Sequence, residues 1–144
     1  MSGRDEVKPK ASPLVGIILV ALAALLACGV LSFAGPCSIQ DGTEAHVCLW
    51  ASRAVLGACV VLAVISLVRV FETDEGERRG LSLAAALLGA LIAAIPGFVI
   101  DLCADPSMKC NVIMRPFVFC MGASIFVVGA VDLTVRLLRI GKSE

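Results

Sequence analysis

VCLWASRAVLGACVVLAVISLVRV, residues 47–70, is the stretch whose reading decides the fold. About 20 helical residues cross a hydrocarbon core of about 30 Å, and this run exceeds that length with only Arg53 and Arg69 charged inside it. Segments 13–35, 81–102 and 111–138 read the same way. The composition agrees: of 144 residues 59% are hydrophobic and 17% charged, and the mean hydropathy is +0.98, well above the globular norm. Short connections make neighbouring helices antiparallel. The expected fold is therefore an all-α membrane protein, a four-transmembrane-helix bundle.

Orientation follows from the basic residues. Arg4, Lys8 and Lys10 precede the first span, Arg69, Arg78 and Arg79 flank the second turn, and Arg136, Arg139 and Lys142 end the chain. The other two loops hold only Lys109, so the N and C termini are expected to be cytoplasmic. The organisation reads as a cytoplasmic tail at 1–12, a first hairpin at 13–70, a cytoplasmic loop at 71–80, a second hairpin at 81–139 and a tail at 140–144. A net charge of zero gives no nucleic-acid signature. Leu25-Leu-Ala-Cys28-Gly29 resembles a lipoprotein cleavage box, but the apolar run continues past Cys28 and is read as a span.

The two hairpins share a pattern. Cys48-Leu-Trp-Ala-Ser-Arg53 and Cys110-Asn-Val-Ile-Met-Arg115 each set an arginine five residues after a cysteine, and Cys37 and Cys103 precede them across short polar loops. Both hairpins rise and return in the same sense, so they read as parallel repeats about an axis along the membrane normal. Inverted repeats and a charged midplane would mark a transporter; neither pattern is read here. Cys37, Cys48, Cys103 and Cys110 fall on the outer side, where disulfides persist. The simplest pairing is within each loop, Cys37 to Cys48 and Cys103 to Cys110, although four cysteines allow three connectivities. Cys28, Cys59 and Cys120 lie within spans as small apolar fillers.

Charged groups inside spans are costly and normally have a partner or a function. Arg53 and Arg115 lie near the outer boundary, and Asp101 is the acid expected beside them. One acid facing two arginines leaves net positive charge, fit for a small anion or lipid headgroup; snorkelling to the headgroups is the plainer explanation. Pro116 disfavours a helical conformation at Arg115 and suits the first turn of a helix. Asp132 and Arg136, four apart, read as a simple interfacial ion pair. His46 and Met108, each two residues before a cysteine, are weak candidates for a soft metal ion, so no metal site and no cofactor are expected. Ala85, Gly89, Ala93 and Gly97 form a small-residue stripe that faces protein, within the chain or in self-association; Gly122 and Gly129 offer a matching surface, and Pro96 is expected to bend the helix.

His46-Val-Cys48-Leu-Trp and Met108-Lys-Cys110-Asn-Val-Ile-Met-Arg115-Pro116 resemble a family of small bacterial four-span membrane proteins, domain of unknown function 4418. The resemblance covers nearly the whole chain from Pro13 onward. It implies a bacterial cytoplasmic-membrane location and work beside an ATP-driven export or lipoprotein-handling permease. In that family the first motif tends toward Met-x-Cys-His; this chain departs from it, which counts against carrying over a metal role. The expected function is that of a non-enzymatic accessory or binding subunit with a disulfide-closed outer cap, beside the lipid bilayer and a transporter subunit. A membrane thiol oxidoreductase using the loop cysteines, or a soft-metal binding module, are the alternatives.

Overall fold

A computed structural model describes residues 13–34, 45–102, 107 and 109–142, apart from the side chains of 45 and 46. Helix α1 spans Leu14–Ser32, α2 Ala45–Phe71, α3 Glu75–Ala94 and α4 Arg115–Gly141, the last entered through a π turn at Cys110–Met114. No strand is formed among the described residues. The cores of all four helices follow a seam spaced alternately by three and four: Leu19, Ala23, Leu26 and Val30; Val55, Cys59, Leu62 and Ser66; Ser82, Ala85, Gly89 and Ile92; Val118, Gly122, Ile125 and Gly129. That spacing is the one that lets helices interlock along their length at a shallow crossing angle.

The tightest interface joins α3 to α4. A Cβ placed on Gly122 would come within 2.6 Å of the Ala93 backbone nitrogen, one on Gly89 within 2.6 Å of the Phe126 nitrogen, and one on Gly129 within 2.9 Å of the Ala86 nitrogen. The small-residue surface is thus used within the chain, in antiparallel register. Its residues differ in part from the straight four-residue stripe: Ala86 joins it because a 3.6-residue helix drifts off a strict spacing of four. Gly97 lies outside the helix, at φ 100°. At the other interfaces Gly16 of α1 faces Val70 and Ser66 of α2, and Gly29 of α1 receives the Phe117 ring of α4. Phe117 also meets Phe33 edge to face, ring centres 5.0 Å apart.

Among the described residues three helices, α1, α2 from Val47 onward, and α4 with its π turn, are long and apolar enough to cross a membrane. The third segment differs from the expected continuous span over 81–102. Its helix starts earlier, at Glu75, and opens with Glu75, Glu77, Arg78 and Arg79. The apolar part, 81–94, rises only about 20 Å at 1.5 Å per residue, short of the hydrocarbon core. The start is set by Asp74, whose carboxylate accepts the Gly76 and Glu77 N–H groups at 2.7 and 3.3 Å, so the loop expected over 71–80 shrinks to 72–74. In that turn the backbone N–H groups of Asp74 and Thr73 hold the Glu72 carboxyl below its usual range, and a hydrogen bond to Glu72 raises that of Glu77.

At the other end Pro96 and Gly97 stop α3 where a kink was expected. Residues 95–100 form a compact turn in which Gly97 N–H donates to the Ile100 carbonyl and Ile100 N–H to that of Ile95, both at 3.0 Å. Non-helical backbone next to lipid needs such internal satisfaction. Pro116 has a related effect on α4. Lacking an N–H, it cannot donate to the carbonyl four residues back, and the chain widens there into the π turn, with Arg115 N–H bonded to Cys110 O. Arg115 is accordingly helical, φ −58° and ψ −56°, despite the proline that follows it.

Large apolar side chains are exposed on every helix, Leu25, Val60, Leu87 and Leu138 among them. The surface of a water-soluble monomer does not carry apolar area on this scale. Replacing Gly122 by Leu is expected to destabilise the bundle by about 3 kcal/mol through backbone overpacking. Gly57→Ala, where nothing lies within 4 Å, should stabilise by up to ~1 kcal/mol through helix propensity. Detergent-solubilised unfolding titrations of the two variants check the contrast.

Candidate functional site

Polar chemistry collects at both ends of the bundle. At the end where α2 meets α3, Asp132 of α4 is the centre. Its Oδ2 accepts from Arg69 Nη2 at 2.7 Å, from Ser82 Oγ at 2.7 Å and from Arg136 Nε at 2.9 Å. Ser82 Oγ is also 2.8 Å from the Arg78 carbonyl; with one proton it donates to one acceptor at a time. Arg136 reaches on to Glu75 through Nη1. Arg78 Nη2 donates to the Arg69 carbonyl at 3.4 Å, a long contact. Arg69 and Arg78 are 1% and 2% exposed. Nε and Nη1 of both have no hydrogen-bond partner among the described residues. Two guanidiniums, those of Arg69 and Arg136, thus share two carboxylates, and that of Arg78 lies beside them on the Arg69 carbonyl. The pair Asp132 and Arg136, expected to stand alone, is one edge of a network tying α2, α3 and α4 together.

The seams explain why these residues meet. Ser66 and Arg69 continue the buried face of α2, Arg78 and Ser82 that of α3, and Asp132 and Arg136 that of α4, each in the same three-four spacing. Sequence reasoning used Arg69, Arg78 and Arg79 only to orient the chain; the seam register was the signal that could have placed the first two inside.

At the opposite end, Cys48 and Cys110 are fully buried and pack together with Leu102. The matched cysteines of the two hairpins therefore meet each other. No disulfide joins one cysteine to another among the described residues; Cys37, Cys103 and Met108, and the side chain of His46, lie outside them. No cluster of metal-ligating side chains forms among the described residues.

The two arginines sit in different surroundings. Arg53 is exposed, its guanidinium 5.8 Å from the centre of the Trp50 ring, a contact worth about 0.5–1 kcal/mol at an exposed site. Arg115 lies against Gly97, where an added Cβ would be 3.0 Å from its Nε. Asp101 is exposed and forms no salt bridge with either one. The expected acid partner is missing because the chain leaves helical geometry after Ala94, so Asp101 does not extend a helix face toward them. Arg115 and Asn111 line a cleft of about 420 Å³ together with Pro96, Phe98 and Phe119. A second cleft of about 380 Å³ shares Phe98 and Phe119 with it and continues to Ala123 and Phe126.

The geometry defines a class: a helical protein with membrane-length apolar helices, an ion network at one end of the bundle and a cysteine and arginine cap at the other. The model of the family described as Domain of unknown function (DUF4418) matches residues 18–135, and the chain belongs to that family. No curated protein and no solved structure matches it.

Asp132→Asn is expected to cost about 3–5 kcal/mol, because it leaves buried arginines without their acceptor. Arg136→Gln, at a side chain 12% exposed that also reaches Glu75, should cost clearly less. Unfolding titrations of the two variants, read against the parent, decide the order.

Proposed function

We propose that this is a non-enzymatic, polytopic subunit of a bacterial cytoplasmic membrane, with four spans, both termini cytoplasmic, and a binding cap on the outer face. In this reading 81–102 crosses as a helix followed by the turn at 95–100, whose backbone hydrogen bonds are internal. The single observation that supports a binding role best is Arg115, an exposed cation with no acid paired to it among the described residues, held beside Gly97 in the lining of a largely apolar cleft. An anion or lipid headgroup complements it in charge. Of the cap residues Arg53, Asp101 and Arg115, it is Arg115 that carries this support. The partner proposed is an ATP-driven permease, in keeping with the family resemblance.

A second reading is favoured by one observation, the burial of Cys48 against Cys110. In a thiol oxidoreductase, two thiols of the cap would become a disulfide while a quinone accepts the two electrons and two protons and leaves as quinol. That cycle requires at least one pair that exchanges readily between thiol and disulfide.

Alkylation and mass spectrometry on protein in native membranes, with and without reductant, separates the two. The subunit reading expects Cys37, Cys48, Cys103 and Cys110 to be blocked as disulfides that resist mild reduction. It also expects in-membrane crosslinking to recover an ATPase-linked permease subunit. Readily exchanging thiols, together with quinone turnover by the purified protein alone, would overturn it in favour of the enzyme.

A further inference from the structure

We infer that the outer half of the α3 and α4 interface is a seat for one membrane phospholipid, with its phosphate on Arg115 and one acyl chain along Phe98, Phe119 and Phe126. The inference rests on the binding reading above and narrows its ligand to a phosphate-bearing, acyl-chain amphiphile.

The two clefts adjoin, with Ala93, Phe98 and Phe119 lining both. Their chemistry is graded. Arg115 and Asn111 stand at one end, while the far part is lined by alanines and phenylalanines alone. A free anion would use the charged end and leave the rest of the groove uncovered. A neutral hydrocarbon would do the reverse. A phospholipid uses both, because a planar guanidinium binds phosphate oxygens in bidentate fashion and the apolar walls gain from covering an acyl chain.

Length and placement agree with this occupant. Arg115 and Phe126 are separated by about 16 Å along the helix at 1.5 Å per residue, close to the ~15 Å of one leaflet in a 30 Å core. The groove exists because α3 ends at Ala94 while α4 continues beyond that level. Phe98, 84% exposed on the turn that follows α3, forms its outer lip. Gly97, having no side chain, leaves room for the Arg115 guanidinium, whose Nε would lie 3.0 Å from an added Cβ. A second protein helix fits less well: it would cover the groove's apolar part and bury the Arg115 cation unpaired, at a cost.

The test uses the full chain in a phosphate-free maltoside detergent. The probe is phosphatidylglycerol carrying a diazirine midway along one acyl chain. After irradiation, adducts are expected in residues 90–98 and 119–126. Unlabelled phosphatidylglycerol should displace the probe about tenfold better than diacylglycerol of the same chains. Arg115→Gln should lower the adduct yield about tenfold, whereas Arg139→Gln, exposed at the far end of α4, should leave it unchanged. Ala123→Trp, which fills the groove and keeps Arg115, should abolish it, and circular dichroism confirms that each variant is folded.

Equal labelling of lipid-facing Leu25, Val60 and Leu67, or equal competition by diacylglycerol, would reduce the groove to ordinary annular contact and overturn the inference. So would full labelling of a folded Arg115→Gln variant, or crosslinks between two copies through residues 119–126. Recovery of the permease partner in native membranes is read separately, so failure of the lipid seat and failure of the subunit reading are distinguishable.

Discussion

The backbone approach of α3 to α4 is the constraint on which the rest of the molecule depends. Between lipid-facing helices the hydrophobic effect gives no preference for a protein neighbour over an acyl chain, so association relies on close van der Waals contact and on polar groups that find partners. Gly89, Gly122 and Gly129 supply the first. Any side chain at these positions would meet the backbone of the facing helix, which has no rotamer to give. With the two axes held this closely, Ser82 comes within 2.7 Å of Asp132 at one end. At the other, the segment beyond Ala94 turns away and Phe98 is left facing outward.

The ion network is the second consequence. Arg69 would be expensive inside an apolar span without Asp132, and Asp132 equally so without its three donors. Each helix contributes groups that are tolerable only when the other two are in register. Sliding one helix by a turn would separate these charges as well as break the glycine contacts. The network therefore reinforces the selection of one register. Its excess of guanidinium over carboxylate, with Nε and Nη1 of Arg69 and Arg78 lacking partners among the described residues, shows that this selection is not made at minimum electrostatic cost.

Much of this was legible in the residues. The helical class and the exposed apolar surface follow from long apolar runs, and the use of small residues between α3 and α4 follows from Gly89, Gly122 and Gly129. The α3 boundaries were not legible from hydropathy, which sums 81–102 into one span and is blind to Pro96-Gly97 as a stop and to Asp74 as a cap. The network was missed for a different reason. A topology rule treats arginines near a span end as solvated loop charges, whereas burial depends on which face of the helix they occupy. Only the seam register distinguishes Arg69, on the buried face, from Arg139, on the exposed one. Asp101 forms no salt bridge with Arg53 or Arg115, a contact that depth along the sequence alone does not decide.

The matched motifs of the two hairpins end in unlike geometries, and the difference traces to single residues. After Arg53 comes Ala54, so α2 runs through its arginine as a regular helix, which leaves Arg53 beside Trp50, three residues earlier on the same face. After Arg115 comes Pro116, so the turn before it widens. The facing segment is broken at Pro96-Gly97, and the second arginine gains a glycine surface and a cleft in place of an aromatic ring. The cysteines meet, buried between the hairpins, while the arginines diverge. Pro96, Gly97 and Pro116, which have no counterpart around Arg53, account for the cleft beside Arg115.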